Sequence, residues 1–373
     1  MEITYQLTKK QDFFQKNIGT FVKQKITPRV KEIDRAEEFP PEVMADLAGN
    51  RLLGLLVPKE EGGEGAGFLD LCLALEGIGR ICPTSALVCS VQNLGAWLLS
   101  KSGTQAQKEK HLSDMMAGGT IFGYALPDVL SLDPLKVSLS ASKDNEGFIL
   151  NGPECFVING DVSEVICLFA KDEDSVHGFL VGKDAQGLKA ARSIGTAGAE
   201  ARIMCMVVLE NCRVPKDSLM GAGGDGKEIM AHMVNAASCF TAARALGLSQ
   251  GALDFAIDYS KKREQFGVAI RKFPAVQIML ADMSARVEAS RQLVYKTAAV
   301  LDQNGKESNR FSSMARHFVS RMAVKVTSDA IQVGGGYAYT KDYPCEKMMR
   351  NALLCQVLDG GNHTHQLASV RSI

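Results

Sequence analysis

The sequence lacks the features by which membrane proteins, nucleic-acid-binding proteins and metalloproteins are usually recognised. None of its apolar runs approaches the roughly 18 residues that a membrane-crossing helix needs. Lysine plus arginine and aspartate plus glutamate each number 42, so there is no net charge to attract a nucleic acid. The six histidines form no H-E-x-x-H or other metal-binding pattern. We therefore expect no membrane, no nucleic acid and no metal ion among the partners.

The ten cysteines include no C-x-x-C pair, and most stand in apolar runs where a thiol packs as a small hydrophobe. The N-terminal segment MEITYQLTKKQDFF is polar and lacks the apolar stretch of a secretory signal. We therefore expect reduced cysteines and a cytoplasmic protein. The length of 373 residues favours two or three packed subdomains over one core.

The pattern of apolar residues divides the chain into three zones. Residues 1–120 are predicted to be an N-terminal helical domain, because small and apolar residues recur there at helical spacing. Residues 121–225 hold short β-prone runs with turn signals at Asn151-Gly152 and Asn159-Gly160. Residues 226–373 return to long amphipathic helices. This order predicts an α+β protein with a central β domain.

Two glycine-containing segments stand out in the last zone. KKREQFG (261–267) by itself is typical of a basic helix end, where positive side chains suit the helix macrodipole. QVGGGYAY (332–339) is typical of a helix that ends near Gly334, although its glycines would also let a phosphate-bearing ligand approach the backbone. It is not a dinucleotide fingerprint, since no strand precedes it and G-x-G-x-x-G is absent.

A third feature is Asp359, which stands directly before Gly360-Gly361. An aspartate beside glycine is most often a turn residue. However, KKREQFG together with AIQVGGGYAYTKDYPCEKMMRNALLCQVLDGG (330–361) resembles the C-terminal half of the acyl-CoA dehydrogenase family of FAD-dependent enzymes. In that family the acid at this position is the catalytic base, and it is normally glutamate. The resemblance implies that Asp359 removes the α-proton of an acyl-CoA while the β-hydrogen leaves as hydride for the flavin.

The resemblance also implies a fold and an assembly. The expected architecture is the acyl-CoA dehydrogenase fold: an N-terminal helical domain, a central β-barrel-like domain and a C-terminal four-helix bundle. Members of the family usually form homotetramers and pass their electrons to an electron-transfer flavoprotein. Arg263 is expected to contact the flavin pyrophosphate of a neighbouring subunit, since a guanidinium is a suitable donor for a phosphate. The positions implied to contact FAD are Tyr124, Leu126, Pro127, Phe156, Ile158, Arg263, Gln265, Phe266, Gln332, Gly335, Gly336, Gly361 and His363.

Several positions depart from the family pattern. Pro127, in YALPDVLSLDP, stands where a threonine would meet the flavin ring, and Ile158, in NGPECFVIN, replaces the threonine whose hydroxyl approaches flavin N5. Ala237 occupies the place where some relatives carry the base, and Ser238 replaces an arginine. Asp359 is shorter than glutamate by one methylene, about 1.5 Å of reach. A misplacement of that size can cost about a hundredfold in rate unless the backbone compensates.

The substrate positions implied by the resemblance are Val91, Gln92, Asn93, Ser238, Tyr337 and Gly360. The two amides would make the wall of the acyl pocket polar, which favours a short, cyclic or carboxylated acyl group. Three functions remain open at this point. They are α,β-dehydrogenation of an acyl-CoA, a non-oxidising reaction such as decarboxylation on the same scaffold, and a flavin-poor partner subunit in a hetero-oligomer.

Overall fold

The computed structural model describes residues 7–35, 39–125, 131–173, 175–193, 195, 198 and 204–371. Among these residues, six α-helices precede the first strand and five follow the last strand of the main sheet. The helices are α1 (Lys9–Phe21), α2 (Val30–Arg35), α3 (Pro41–Gly49), α4 (Phe68–Gly79), α5 (Pro83–Ser102), α6 (Gln105–Ala117), α7 (Gly226–Lys262), α8 (Pro274–Asp302), α9 (Ser308–Ala338), α10 (Cys345–Leu354) and α11 (Asn362–Arg371). None of the described helices has the length and apolarity that a membrane span requires.

The central part of the chain forms a seven-stranded mixed sheet, and a small hairpin follows α7. The strands are β1 (Phe122–Ala125), β2 (Leu139–Lys143), β3 (Gly147–Ile158), β4 (Val165–Lys171), β5 (Val176–Gly182), β6 (Leu188–Ser193), β7 (Met204–Pro215), β8 (Glu264–Gln265) and β9 (Val268–Ala269). Strands β1 and β2 each pair with both β3 and β4, so these four strands close into a ring. The helices–strands–helices order of the predicted fold is confirmed.

One of the two predicted turns is wrong. Asn159 adopts a positive φ of 57° and begins a turn after β3, as its sequence indicates. Asn151-Gly152 instead lies inside β3, which is paired on both sides, with β2 and with β7. The register to β7 shifts on both sides of Gly152, so the glycine marks a β-bulge rather than a turn. Pairing with two neighbouring strands has overridden the local turn preference.

The helices at the two ends of the chain pack together through α7, which contacts α4, α5, α8 and α9. Glycine permits the closest approach. A Cβ added to Gly247 would lie 2.4 Å from the Glu76 carbonyl oxygen, and one added to Gly251 would lie 2.1 Å from that of Arg80. The Glu76 carboxylate also accepts a 2.8 Å hydrogen bond from the Tyr295 hydroxyl of α8. The N-terminal and C-terminal helices therefore share one hydrophobic core.

The glycine cluster near the end of α9 interrupts that helix. The sequence predicts an end at Gly334, but Gly334 keeps helical geometry and packs against Phe255. The break lies one residue later, at Gly335, which has φ 59° and ψ −150°. A side chain at φ 59° and this ψ would be strained, so the kink depends on glycine.

Candidate active site

Asp359 lies in the turn between α10 and α11. It has a positive φ of 59°, and the next residue, Gly360, has φ 93°. Aspartate is one of the few residues that tolerate this left-handed region. The turn directs the Asp359 side chain inward, where the residue is only 1% exposed. The backbone geometry of Asp359-Gly360 therefore decides where the carboxylate is presented.

Both carboxylate oxygens of Asp359 are held by hydroxyl groups. The Tyr124 hydroxyl, from β1, donates to Oδ1 at 2.6 Å. The Thr241 hydroxyl, from the middle of α7, donates to Oδ2 at 2.6 Å. Thr241 in turn accepts a 2.6 Å hydrogen bond from Nη2 of Arg244. The carboxylate is thus fixed between the sheet and α7 by short, charge-assisted hydrogen bonds.

The turn itself is held by two buried side chains. Nη2 of Arg316, on α9, donates to the carbonyl oxygens of Leu358 and Gly360. Nε2 of His365, on α11, donates to the carbonyl oxygen of Asp359 at 2.7 Å. These contacts satisfy the turn's carbonyl groups away from water and fix its conformation.

Burial sets the charge states around Asp359. Burial raises the pKa of Tyr124 well above its usual range, and the negative charge of Asp359 raises it further. Burial lowers the pKa of His365 to about 4, and the positive charge of Arg316 adds to this effect. Burial also lowers the pKa of Arg316 to about 10, although Asp359 opposes it. At neutral pH, Tyr124 and His365 are therefore uncharged and Arg316 is positive.

Four residues of this cluster were not singled out from the sequence as site residues: Thr241, Arg244, Arg316 and His365. Arg244 carried a signal, because it stands as the single charge in the apolar run TAARALGL, three residues after Thr241 on the same face of a helix. His365 looks in the sequence like a solvated loop histidine, but it is fully buried. Its contact with Asp359 depends on the tight turn, which no periodicity in the sequence reveals.

The two amides that were expected to line the acyl pocket use their polar groups on the backbone. Gln92 donates to the carbonyl oxygens of Met115 and Thr120 at 2.9 and 2.6 Å. Asn93 donates to the Leu52 carbonyl oxygen at 2.7 Å and accepts from a nearby backbone amide. Both side chains are buried, and they tie α5 to its neighbours. This differs from the expected polar pocket wall, since the amide groups are already paired. Val91, the residue before Gln92, is also buried.

The remaining substrate positions have different environments. Ser238, three residues before Thr241 on α7, is 1% exposed, and its hydroxyl has no hydrogen-bond partner in the described structure. Gly360 is buried in the turn beside Asp359. Tyr337 is exposed at the far end of α9. Gly360 is therefore next to the candidate base in the turn, Ser238 is one helical turn from Thr241, and Tyr337 lies on another, exposed surface.

That other surface gathers several predicted cofactor positions. Arg263, Gln265 and Phe266 lie at the end of α7 and on the β8–β9 hairpin, where Phe266 is 94% exposed. The Arg263 guanidinium lies 5.7 Å from the centre of the Tyr337 ring. An added Cβ at Gly335 would meet no atom within 4 Å. An exposed guanidinium beside open backbone suits a phosphate group.

The residues around Asp359 and the surface around Arg263 are far apart in one chain. Arg244 and Arg263 are both placed by α7, and 19 residues of helix correspond to roughly 28 Å. Gly336 and Gln332 are also exposed.

Near Asp359 itself, the structure places Tyr124 and Ile158 side by side, since they are partners in the β1–β3 pairing. Ile158 is fully buried and Phe156 is half-buried. Gly361 is half-buried in the turn, whereas His363 is exposed and contacts Gln366 at 3.1 Å. The predicted positions Leu126 and Pro127 lie outside the described residues.

No three histidine, cysteine, aspartate or glutamate side chains come together as a metal site within the described ranges.

Comparison with known proteins gives a family for the whole chain. Residues 8–119 match the N-terminal domain of acyl-CoA dehydrogenases, and residues 224–373 match the C-terminal domain.

Individual proteins match over nearly the full length. The cyclohex-1-ene-1-carbonyl-CoA dehydrogenase of Geobacter metallireducens is 33% identical over 98% of this chain and 98% of its own length. A chain in the solved structure of the electron-transferring flavoprotein of Acidaminococcus fermentans is 31% identical, with a TM-score of 0.92 over 99% of each chain. The butyryl-CoA dehydrogenase of Megasphaera elsdenii is 28% identical, with a TM-score of 0.91 over 99% of each chain.

Proposed function

Because the chain belongs to the acyl-CoA dehydrogenase family, we propose that it oxidises the α,β bond of a short, cyclic or carboxylated acyl-CoA with Asp359 as the base. Family membership makes it an oxidoreductase acting on CH–CH donors, with FAD as its cofactor. The observation that carries the proposal is the buried Asp359 carboxylate, which two hydroxyl groups hold in place. A buried and positioned carboxylate is what abstraction of a weakly acidic α-proton needs.

In the proposed reaction, the residues around Asp359 have the following roles. Each Asp359 oxygen accepts one hydrogen bond, from Tyr124 or Thr241, and keeps a further lone pair for the α-proton. When the α C–H bond breaks, that proton goes to Asp359 and its electron pair forms the new double bond. Bound FAD supplies the acceptor for the β-hydrogen, which leaves as hydride. The left-handed turn at Asp359 supports the use of a shorter acid, because the backbone conformation contributes to placing the carboxylate.

We propose that residues of two chains bind each FAD. Arg263 would bind the pyrophosphate of a neighbour's flavin, with Gly335 and Gly336 along the ADP half. Phe266 at the hairpin tip is 94% exposed, so its ring is available for a subunit contact there. The separation of roughly 28 Å along α7 supports the same assembly. We propose a homotetramer, with a hetero-oligomer containing a related subunit as the alternative.

The comparisons support two further parts of the proposal. The Geobacter relative acts on a cyclic acyl-CoA, as its name states. This supports including a cyclic acyl-CoA among the substrates tested. The similarity to a chain in the Acidaminococcus electron-transferring flavoprotein structure supports such a flavoprotein as the electron acceptor.

The test begins with the visible spectrum of the purified protein. We expect flavin bands at about one FAD per chain, and bleaching of these bands when the right acyl-CoA is added without oxygen. The panel should include butyryl-CoA, cyclohex-1-ene-1-carbonyl-CoA and glutaryl-CoA. Asp359→Asn should retain FAD and lose the bleaching, because an amide cannot accept the α-proton.

Asp12→Asn, on the exposed surface of α1, is the matched control and should bleach like the wild type. Full bleaching in Asp359→Asn would refute the assignment of the base. A colourless protein that cannot be reconstituted with FAD would refute the dehydrogenase function and favour a partner subunit. Bleaching is a reduction of the flavin, so product formation without it would favour the non-oxidising reaction.

A further inference from the structure

Two arginines are buried close to Asp359. Arg244, on α7, is 4% exposed, and Arg316, on α9, is fully buried. Arg316 donates to backbone carbonyl groups and to the amide oxygen of Asn362, all of which are uncharged. In the described part of the chain, Arg244 donates only to the Thr241 hydroxyl. Neither guanidinium is therefore hydrogen-bonded to a carboxylate of the described residues.

The charges of this cluster do not balance. Arg244 and Arg316 contribute two positive charges, and Asp359 contributes one negative charge. Tyr124 and His365 are neutral at neutral pH, because burial moves both pKa values away from 7. A buried charge without a counterion opposes folding, and proteins rarely keep one without a use for it. Among the described residues, one buried positive charge is left without a partner.

Two buried hydrogen-bond donors on α7 near Thr241 are also unpaired. Nε of Arg244 is buried and has no partner among the described residues, and the same is true of the Ser238 hydroxyl. Ser238 and Arg244 stand three residues before and after Thr241 on α7. Unsatisfied buried donors are uncommon in folded proteins. Two of them beside an unbalanced positive charge indicate a ligand that carries a negative charge and oxygen acceptors.

The distance to the candidate base limits the size of that ligand. The Thr241 hydroxyl oxygen lies 2.6 Å from Oδ2 of Asp359 and 2.6 Å from Nη2 of Arg244. The carboxylate and the guanidinium are therefore no more than twice this distance apart. Asp359 must reach the α-carbon of the substrate in order to remove its proton. A group bound by Arg244 can consequently be only a few bonds away from the α-carbon.

We propose that Arg244 binds a carboxylate carried by the acyl group, so that the substrate is a short dicarboxylic acyl-CoA. The proposal rests on the acyl-CoA dehydrogenase function and narrows it to one substrate class. A guanidinium and a carboxylate match each other through two parallel hydrogen bonds, and Nε offers one donor for such a pair. The carboxylate supplies the negative charge that the cluster lacks.

The test compares two ligands that differ in this carboxylate alone. Butyryl-CoA is glutaryl-CoA without its terminal carboxylate. By isothermal calorimetry on the FAD-loaded enzyme, glutaryl-CoA should bind at least about tenfold more tightly than butyryl-CoA. Arg244→Gln should weaken glutaryl-CoA binding by about 10- to 100-fold while leaving butyryl-CoA within about threefold. Arg80→Gln removes an exposed arginine that pairs with Asp254, and it should keep the wild-type preference.

If Arg244→Gln fails to fold, the ratio of glutaryl-CoA to butyryl-CoA affinity in the wild type still tests the proposed carboxylate site. Succinyl-CoA against propionyl-CoA repeats the comparison at a shorter length. Equal or tighter binding of both ligands that lack the terminal carboxylate would overturn the proposal. In that case, flavin bleaching by butyryl-CoA would still support the dehydrogenase function. Preferred binding of glutaryl-CoA without any bleaching would support the carboxylate site and refute the oxidation, and no binding of any acyl-CoA would refute both.

Discussion

The hydroxyl group of Tyr124 donates a 2.6 Å hydrogen bond to Oδ1 of Asp359, and the two residues are 235 positions apart in the sequence. Tyr124 belongs to the first strand of the sheet, and Asp359 belongs to a turn near the C-terminus. Their contact therefore joins the β domain to the last helices at the candidate base. Because both residues are buried, the bond works in a low-dielectric environment where hydrogen bonds to a charge are strong.

Replacing Tyr124 by phenylalanine should measure this bond. The ring would still fill its place, but Oδ1 of the buried Asp359 carboxylate would lose its donor. We expect the free energy of unfolding to fall by about 1.5–3 kcal/mol, the usual effect for a hydrogen bond to a charged group. Urea denaturation of the two proteins checks this.

Tyr339→Phe is the matched control for Tyr124→Phe. It makes the same chemical change at a tyrosine that is 79% exposed, and it should leave stability within about 0.5 kcal/mol of the wild type. An equal effect of the two substitutions would contradict a special role for the Tyr124 hydroxyl.

Restoring the glutamate that is usual in the family should impair this protein. The hydroxyls of Tyr124 and Thr241 each lie 2.6 Å from the Asp359 carboxylate, so one more methylene would push the carboxylate against these two groups. We expect Asp359→Glu to cost about 1–3 kcal/mol of stability through overpacking. It should also reduce the flavin bleaching rate at least about tenfold, because the carboxylate is displaced.

Asp359→Asn, which has nearly the same volume, separates the two effects of Asp359→Glu. It should lose bleaching without the cost of overpacking. If Asp359→Glu were as stable and as fast as the wild type, the site would have to be more adaptable than its contacts indicate.

The sequence predicted the order of the three zones because hydrophobic periodicity is a local property of the chain. Asp359 was singled out as the candidate base only by family resemblance, since an isolated aspartate beside glycine is an ordinary turn residue. The surroundings of Asp359 could not be predicted in the same way. Thr241 and Arg244 come from α7 and Tyr124 comes from β1, and only the tertiary fold brings them together.

Two local signals were overridden by long-range contacts. Asn151-Gly152 has the composition of a turn, but pairing with β2 and β7 makes it part of a strand. Gln92 and Asn93 have the composition of a polar pocket wall, but backbone carbonyl groups from other segments occupy their amides. In both cases the deciding partners are distant in the sequence, so no window of the sequence contains the information.

Acid stability should depend on His365. Burial lowers the pKa of this residue from 6.5 to about 4. The unfolded chain therefore takes up a proton on His365 below pH 6.5, while the folded protein does not until the pH nears 4. The free energy of unfolding should fall between pH 6.5 and 4, by on the order of 3 kcal/mol from this group alone. His365→Gln removes the titrating group and should flatten this part of the stability profile.

His363→Gln is the control for the pH measurement, since His363 is an exposed histidine two residues earlier. Urea denaturation at several pH values gives the profile for each protein. The variant at position 363 should keep the wild-type slope between pH 6.5 and 4. An unchanged slope in His365→Gln would mean that other groups cause the loss of stability in acid.

Flavin retention should depend on the exposed surface at the end of α7, because Arg263 offers a planar fork to a phosphate beside the open backbone of Gly335. We expect Arg263→Gln to weaken FAD binding by about 10- to 100-fold, and Arg263→Lys to recover part of the loss through charge alone. The measurement is the ratio of flavin to protein absorbance after gel filtration at falling concentrations. Lys262→Gln removes a neighbouring positive charge and should retain FAD. Equal loss from Arg263→Gln and Lys262→Gln would show that net charge, rather than the guanidinium fork, holds the cofactor.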